Sequence, residues 1–248
     1  MRILLSGIKG FMGNEVVKLC EKGVRGAELS AGVDINSHGA EKVPCFKDFG
    51  SVKADADVII DFSHFSLTES LLDFALKNEL PLVLATTGQS EEQKALIKSA
   101  SEKIPIFFAA NYSLGIALLI ELAKKTAETF PEADIEIVET HHNRKIDAPS
   151  GTALAIFDAI KSVRENAVKN LGRAGTGKRT PEEIGVHAVR MGNIAGIHEV
   201  IVGTQNQTIT LKHEAHSRAL FAEGALAAAQ FLMGKAPGLY TMNDLIKE

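Results

Sequence analysis

The chain has 248 residues, 45% of them hydrophobic, which is enough for one or two domains with cores of ordinary size. Its 27 Lys and Arg against 31 Asp and Glu give a net charge of −4 with no sustained basic block, which argues against nucleic acid as a partner. No apolar run approaches the roughly 18 residues of a membrane span, no charged leader precedes the first strand pattern, and Cys20 and Cys45 form neither a metal pair nor a disulfide framework, so a soluble cytoplasmic protein with no metal and no membrane contact is expected.

Strand patterns at residues 2–6, 28–33, 57–61, 81–85 and 105–109 alternate with helical patterns at 11–22, 67–77 and 91–101. This alternation predicts a doubly wound parallel sheet, with ligands beyond the carboxyl ends of its strands. Gly7, Gly10 and Gly13 fall between the first strand and the first helix, where backbone amides at a helix start can face a pyrophosphate. Asp34 ends the second strand, where a carboxylate can accept the ribose hydroxyls of a dinucleotide. The same glycines would also serve a tight turn with no ligand. Thr86 and Thr87 follow the fourth strand, and Asn111 and Tyr112 follow the fifth, so both pairs are candidates for the nicotinamide end.

After residue 115 the pattern changes to one helix at 116–130 and longer strands at 134–142 and 184–190, then hairpin arms at 197–203 and 207–214 around Thr204, Gln205 and Asn206. These predict an α+β domain with a mixed sheet over residues 113–218. The Ala-rich amphipathic stretch 218–233 returns to the first, Rossmann-like domain, which then spans 1–112 and 219–248. Residues 172–178 resemble a phosphate loop, but Arg179 stands where Ser or Thr would hold magnesium. A mobile basic lid over the cleft is the better reading.

Residues 136–153, EIVETHHNRKIDAPSGTA, form a strand, a turn and a helix start. The amides of Ser150, Gly151 and Thr152 lack intrahelical acceptors and the helix dipole adds positive charge, so they favour an anion, while Lys145 offers a full charge nearby. The run also carries two adjacent histidines, His141 and His142, and an imidazole with an ordinary pKa of about 6.5 can deliver a proton near neutrality. An N-capped helix beside solvated histidines is the plainer alternative.

Glu136, Glu139, His141, Lys145, Asp147 and Pro149 through Ala153 match the signature of the bacterial 4-hydroxy-tetrahydrodipicolinate reductases, the dihydrodipicolinate reductases of diaminopimelate and lysine biosynthesis, and the chain resembles that family over nearly its whole length. The turns at 85–88 and 109–113, the stretch 184–190, and Gly196, His198 and Glu199 also match. The resemblance implies NADH- or NADPH-dependent reduction of a cyclic dicarboxylate. It implies His141 as the proton donor, Lys145 as its catalytic partner and a carboxylate contact, and His142, Ser150, Gly151 and Thr152 as substrate binders. Cofactor contacts are implied at Gly7, Ile8, Lys9, Gly10, Phe11, Met12, Asp34, Ala85, Thr86, Thr87, Ala109, Ala110, Asn111 and Tyr112, and a homotetramer is usual. Phe11 and Ile35-Asn36 stand where the family often carries Arg, so NADH is expected to serve at least as well as NADPH, with Lys9 as a cation at hand. Another nicotinamide reductase acting on a monocarboxylate, or a non-catalytic NADH sensor, would share the architecture.

Overall fold

The computed structural model describes residues 1–37 and 43–247. It divides into two compact units, Met1–Leu114 with Arg218–Glu248, and Gly115–Ser217.

In chain order the first unit contains β1 (Arg2–Ser6), α1 (Phe11–Glu21), β2 (Glu28–Val33), β3 (Cys45–Phe46), β4 (Val58–Asp61), α2 (Thr68–Lys77), β5 (Leu82–Leu84), α3 (Glu91–Ser101) and β6 (Pro105–Phe108). The second contains nearly all of α4 (Leu114–Thr129), then β7 (Asp134–His141), α5 (Gly151–Lys161), β8 (Val168–Asn170), β9 (Glu183–Arg190), β10 (Gly196–Gly203) and β11 (Thr208–Ala215). The chain then returns to the first unit with α6 (Ala219–Leu232), β12 (Gly238–Tyr240) and α7 (Met242–Ile246).

The first sheet has the order β12-β6-β5-β4-β1-β2-β3, and every pairing is parallel. Its central strands are buried almost without interruption, because helices cover both faces. On one face α2 and α3 pack Leu71, Leu72 and Ile97 against Leu4, Ile59 and Leu82. On the other, α1 lies against α6. Strand order reverses at β1, so the crevice beyond β1 and β4 is the switch point at which such sheets hold ligands. The expected Rossmann-like parallel sheet is present, extended by two short strands, β3 and β12, that have too few residues to show a pattern.

The second sheet has the order β11-β10-β7-β9-β8. β7 pairs parallel with β9 and antiparallel with β10, which makes it mixed, as expected. Burial alternates along β7, so Ile135, Ile137, Glu139 and His141 share the face that α4 and α5 cover. A hydrophobic strand face thus ends in an acid and an imidazole. Among the described residues no helix is long and apolar enough to cross a membrane.

Candidate active site

In the first unit the glycine turn is built by close packing. Gly7 has φ +79°, a region few side chains tolerate, and a methyl there would stand 2.5 Å from the Phe62 carbonyl oxygen. Gly13 likewise faces the Gly7 carbonyl with no room for a side chain. These glycines are thus required by the packing of the turn itself, and α1 starts directly behind it. The Asp34 carboxylate accepts the Lys9 amide at 3.1 Å through Oδ2 and the Asn36 amide at 2.9 Å through Oδ1. Gly7, Gly10, Asp34, Ile35 and Asn36 line a cavity of about 340 Å³ together with Lys47, Phe62, Ser63 and His64. Those last four carried no sequence signal, since they are gathered from the ends of β3 and β4 by the parallel register. Arg218 was also missed as a neighbour of the turn: its guanidinium lies 5.4 Å from the centroid of the exposed Phe11 ring.

Two residues expected at the nicotinamide end, Tyr112 and Thr86, have hydroxyls engaged inside the protein. Tyr112 is buried, and its hydroxyl donates to the carbonyls of Leu84 at 2.9 Å and Phe107 at 3.1 Å, so the ring ties strand ends together. The Thr86 hydroxyl donates to buried Asp61 at 2.5 Å. Thr87 and Ala110 are exposed, and the Asn111 side chain accepts the Ser113 amide at 2.8 Å.

In the second unit the strand register assembles a charged cluster. Parallel pairing sets Arg190 opposite His141, and antiparallel pairing sets His198 opposite Glu139. Glu139 is fully buried, and its carboxylate receives Arg190 Nη2 at 2.7 Å, Arg190 Nη1 at 2.8 Å and the Ser150 amide at 3.0 Å. His141 Nδ1 lies 2.5 Å from Glu139 Oε2. Burial alone would raise the Glu139 pKa, but the Arg190, His141 and Ser150 bonds outweigh it and hold the carboxyl below its ordinary value. His198 packs edge-on to His141, with ring centroids 5.2 Å apart, and places Nε2 3.2 Å from Ser150 Oγ. Burial, followed by the charge of His141, pushes His198 down to about 4, so it is neutral at working pH. Arg190 also donates to the Asp147 carbonyl at 2.6 Å, which pins the turn carrying Lys145. Lys145 Nζ sits 2.8 Å from Asp147 Oδ1.

The strand ends at His141, and His142 enters the turn, where its amide donates to the Ile194 carbonyl at 2.8 Å. The helix start also differs from expectation. Ser150 is buried, its amide is taken by Glu139, and its hydroxyl caps α5 through the Ala153 amide, so Ser150 is not an open anion contact. Gly151 is exposed at the head of α5. The expected lid is corrected as well. Arg173 pairs with Glu136 and Glu183, and Arg179 with Asp134, which fixes this loop at the amino ends of β7 and β9, the opposite end of the sheet from His141.

The models for the amino-terminal and carboxyl-terminal parts of dihydrodipicolinate reductase match residues 1–112 and 115–246. The chain belongs to the dihydrodipicolinate reductase family. Within it, the chain is 48% identical to the 4-hydroxy-tetrahydrodipicolinate reductase of Caldanaerobacter subterraneus subsp. tengcongensis, covering 100% of this chain and 99% of that one. Identity to the reductase of the same name from Clostridium novyi is 44%, over 99% and 98% of the two chains. A dipicolinate-bound dihydrodipicolinate reductase from Paenisporosarcina sp. TG-14 superposes with a TM-score of 0.83 at 27% identity, over 97% of each chain. A pyridine-nucleotide-dependent reductase is thus the class to which this fold and these relatives assign the chain.

Proposed function

We propose that the protein reduces 4-hydroxy-tetrahydrodipicolinate to tetrahydrodipicolinate in diaminopimelate and lysine biosynthesis. The observation that carries this reading is that one unit holds the glycine turn and Asp34 while the other holds a Glu139-bound His141 and, four residues on, Lys145.

NADH or NADPH supplies the hydride when bound. Gly7 through Met12 and Asp34 hold the dinucleotide, with Ala85, Thr87 and Ala109 through Asn111 toward its nicotinamide end. Hydride added to a conjugated imine leaves negative charge on the acceptor, and His141 gives the proton that neutralises it. Lys145, His142 and the helix start at Gly151 and Thr152 bind the two substrate carboxylates, each charge-assisted hydrogen bond contributing roughly 1.5 to 3 kcal/mol. Asp147 occupies Lys145 until a carboxylate takes its place. A planar pyridine-2,6-dicarboxylate, the ligand of the Paenisporosarcina relative, fits the same demand for two anion contacts. The protein is read as a cytoplasmic homotetramer in which the outer edge of β11 is available for assembly.

The test follows loss of NADH absorbance with enzymatically generated substrate, with and without pyridine-2,6-dicarboxylate. Turnover inhibited by that dicarboxylate supports the reading. Rapid turnover of a monocarboxylate imine, or tight NADH binding without turnover, overturns it.

A further inference from the structure

We propose that Glu139, clamped by Arg190, is the positioning residue of His141: it keeps a proton on Nδ1 and leaves Nε2 as the nitrogen that gives and regains protons. This rests on the reading of His141 as the proton donor.

The geometry leaves the pair few alternatives. An ionised carboxylate accepts hydrogen bonds and donates none. Glu139 has no exposed surface, receives two parallel Arg190 donors and the Ser150 amide, and faces His141 Nδ1 at 2.5 Å. The hydrogen in that last contact therefore belongs to Nδ1. Arg190 is the group that makes a bare carboxylate tolerable there, since a buried charge with no partner would be far costlier than a paired one. The second nitrogen faces a different neighbour. A methyl group on Gly196 would stand 3.0 Å from Nε2, so the missing side chain on β10 keeps the space beside that nitrogen clear.

In the catalytic cycle the bond from Nε2 to its proton breaks as the proton moves to the reduced substrate, and the ring becomes neutral with its remaining proton on Nδ1. Water reprotonates Nε2 for the next cycle. No exchange of tautomers is needed, because the Nδ1 proton never leaves its bond to Glu139. A buried carboxylate that orients a catalytic imidazole in the serine proteases follows the same physical logic on an unrelated fold. Neighbouring His198 donates or accepts at Ser150, which holds the far side of the cluster without touching the Glu139 carboxylate.

The test combines ¹⁵N spectra of the ring with kinetics of Glu139→Gln and Arg190→Lys. In the wild-type protein with the His141 ring neutral, Nδ1 is expected to carry the proton. Glu139→Gln is expected to abolish that preference and to lower kcat roughly ten- to thousandfold, with the dissociation constant for NADH unchanged and the pH profile of kcat/KM displaced. Arg190→Lys keeps the charge but loses the two-pronged fork, and is expected to fall between. A wild-type spectrum with the proton on Nε2, or a Glu139→Gln enzyme with normal turnover and profile, overturns the proposal. If His141→Ala retains full turnover, the proposed function of His141 fails, while the wild-type spectrum still decides separately whether Glu139 sets the tautomer.

Discussion

Thr86 Oγ1 donates to Asp61 Oδ2 at 2.5 Å, joining the loop after β5 to the end of β4 through a buried carboxyl that also accepts from Ser63 Oγ at 2.5 Å. Burial raises the Asp61 pKa, and the hydroxyl bonds offset part of that rise. The loop after β4 so tied flanks the glycine turn, whose Gly7 packs on the Phe62 carbonyl. Asp61→Ala would leave those donors without their acceptor at about 1 to 3 kcal/mol for each group stranded. The expected outcome is a fall in Tm of several degrees with weaker NADH binding, measured by thermal denaturation and fluorescence titration. Asp61→Asn keeps an acceptor and the side-chain size, so it should be milder. Unchanged Tm and NADH affinity in Asp61→Ala would contradict this account.

Asp34 and Lys47 line one cavity. On the proposed reading, cofactor choice is made there: Asp34 would repel a 2′-phosphate and accept ribose hydroxyls, and Lys47 would be the cation that offsets that repulsion. NADH is expected to show a kcat/KM at least equal to that of NADPH. Lys47→Ala should lower NADPH use several-fold and leave NADH nearly unaffected. Steady-state comparison of the two cofactors checks both statements, and a large wild-type preference for NADPH would refute the first.

His141→Ala removes the proposed proton donor at the end of β7. Because the glycine turn and Asp34 belong to the other unit, nucleotide binding is expected to survive. The expected loss in kcat is roughly 10² to 10⁴, the usual range for a general acid. Single-turnover rates and NADH titration together separate this from a binding defect, and wild-type turnover would remove His141 from the mechanism.

These contacts differ in how far they could be read from the sequence. The parallel strands were legible because helices cover both faces and leave continuous apolar runs, as in Val58, Ile59 and Ile60. β7 was legible by its alternation. β12 was not, because three residues carry no period and Gly238–Tyr240 gains its place only by pairing with β6. At the site, His141, Lys145 and the Ser150 helix start stand in one short run and declared themselves. The engagement of Ser150 by Glu139 did not, since it depends on a carboxylate folded back across eleven positions and clamped by Arg190 from a neighbouring strand. The hydroxyl bonds of Tyr112 were likewise not legible, because the two carbonyls it bonds are adjacent only in the folded sheet.

His198 supplies a pH-dependent term in stability. Its pKa is about 4 in the folded protein against an ordinary 6.5, with burial the largest cause and the His141 charge next. The unfolded chain therefore binds the extra proton over this interval, and stability rises with pH. The contribution is fully present above pH 6.5, declines as pH falls from there, and is gone below about 4. That interval corresponds to at most about 3 kcal/mol at roughly 1.4 kcal/mol per pKa unit. His198→Gln retains a polar group able to reach Ser150 Oγ but does not titrate. Urea unfolding of the two proteins at pH 7.5 and 5.0 should therefore show a smaller acid loss in the variant. Equal losses in both would mean that His198 is not the group being charged.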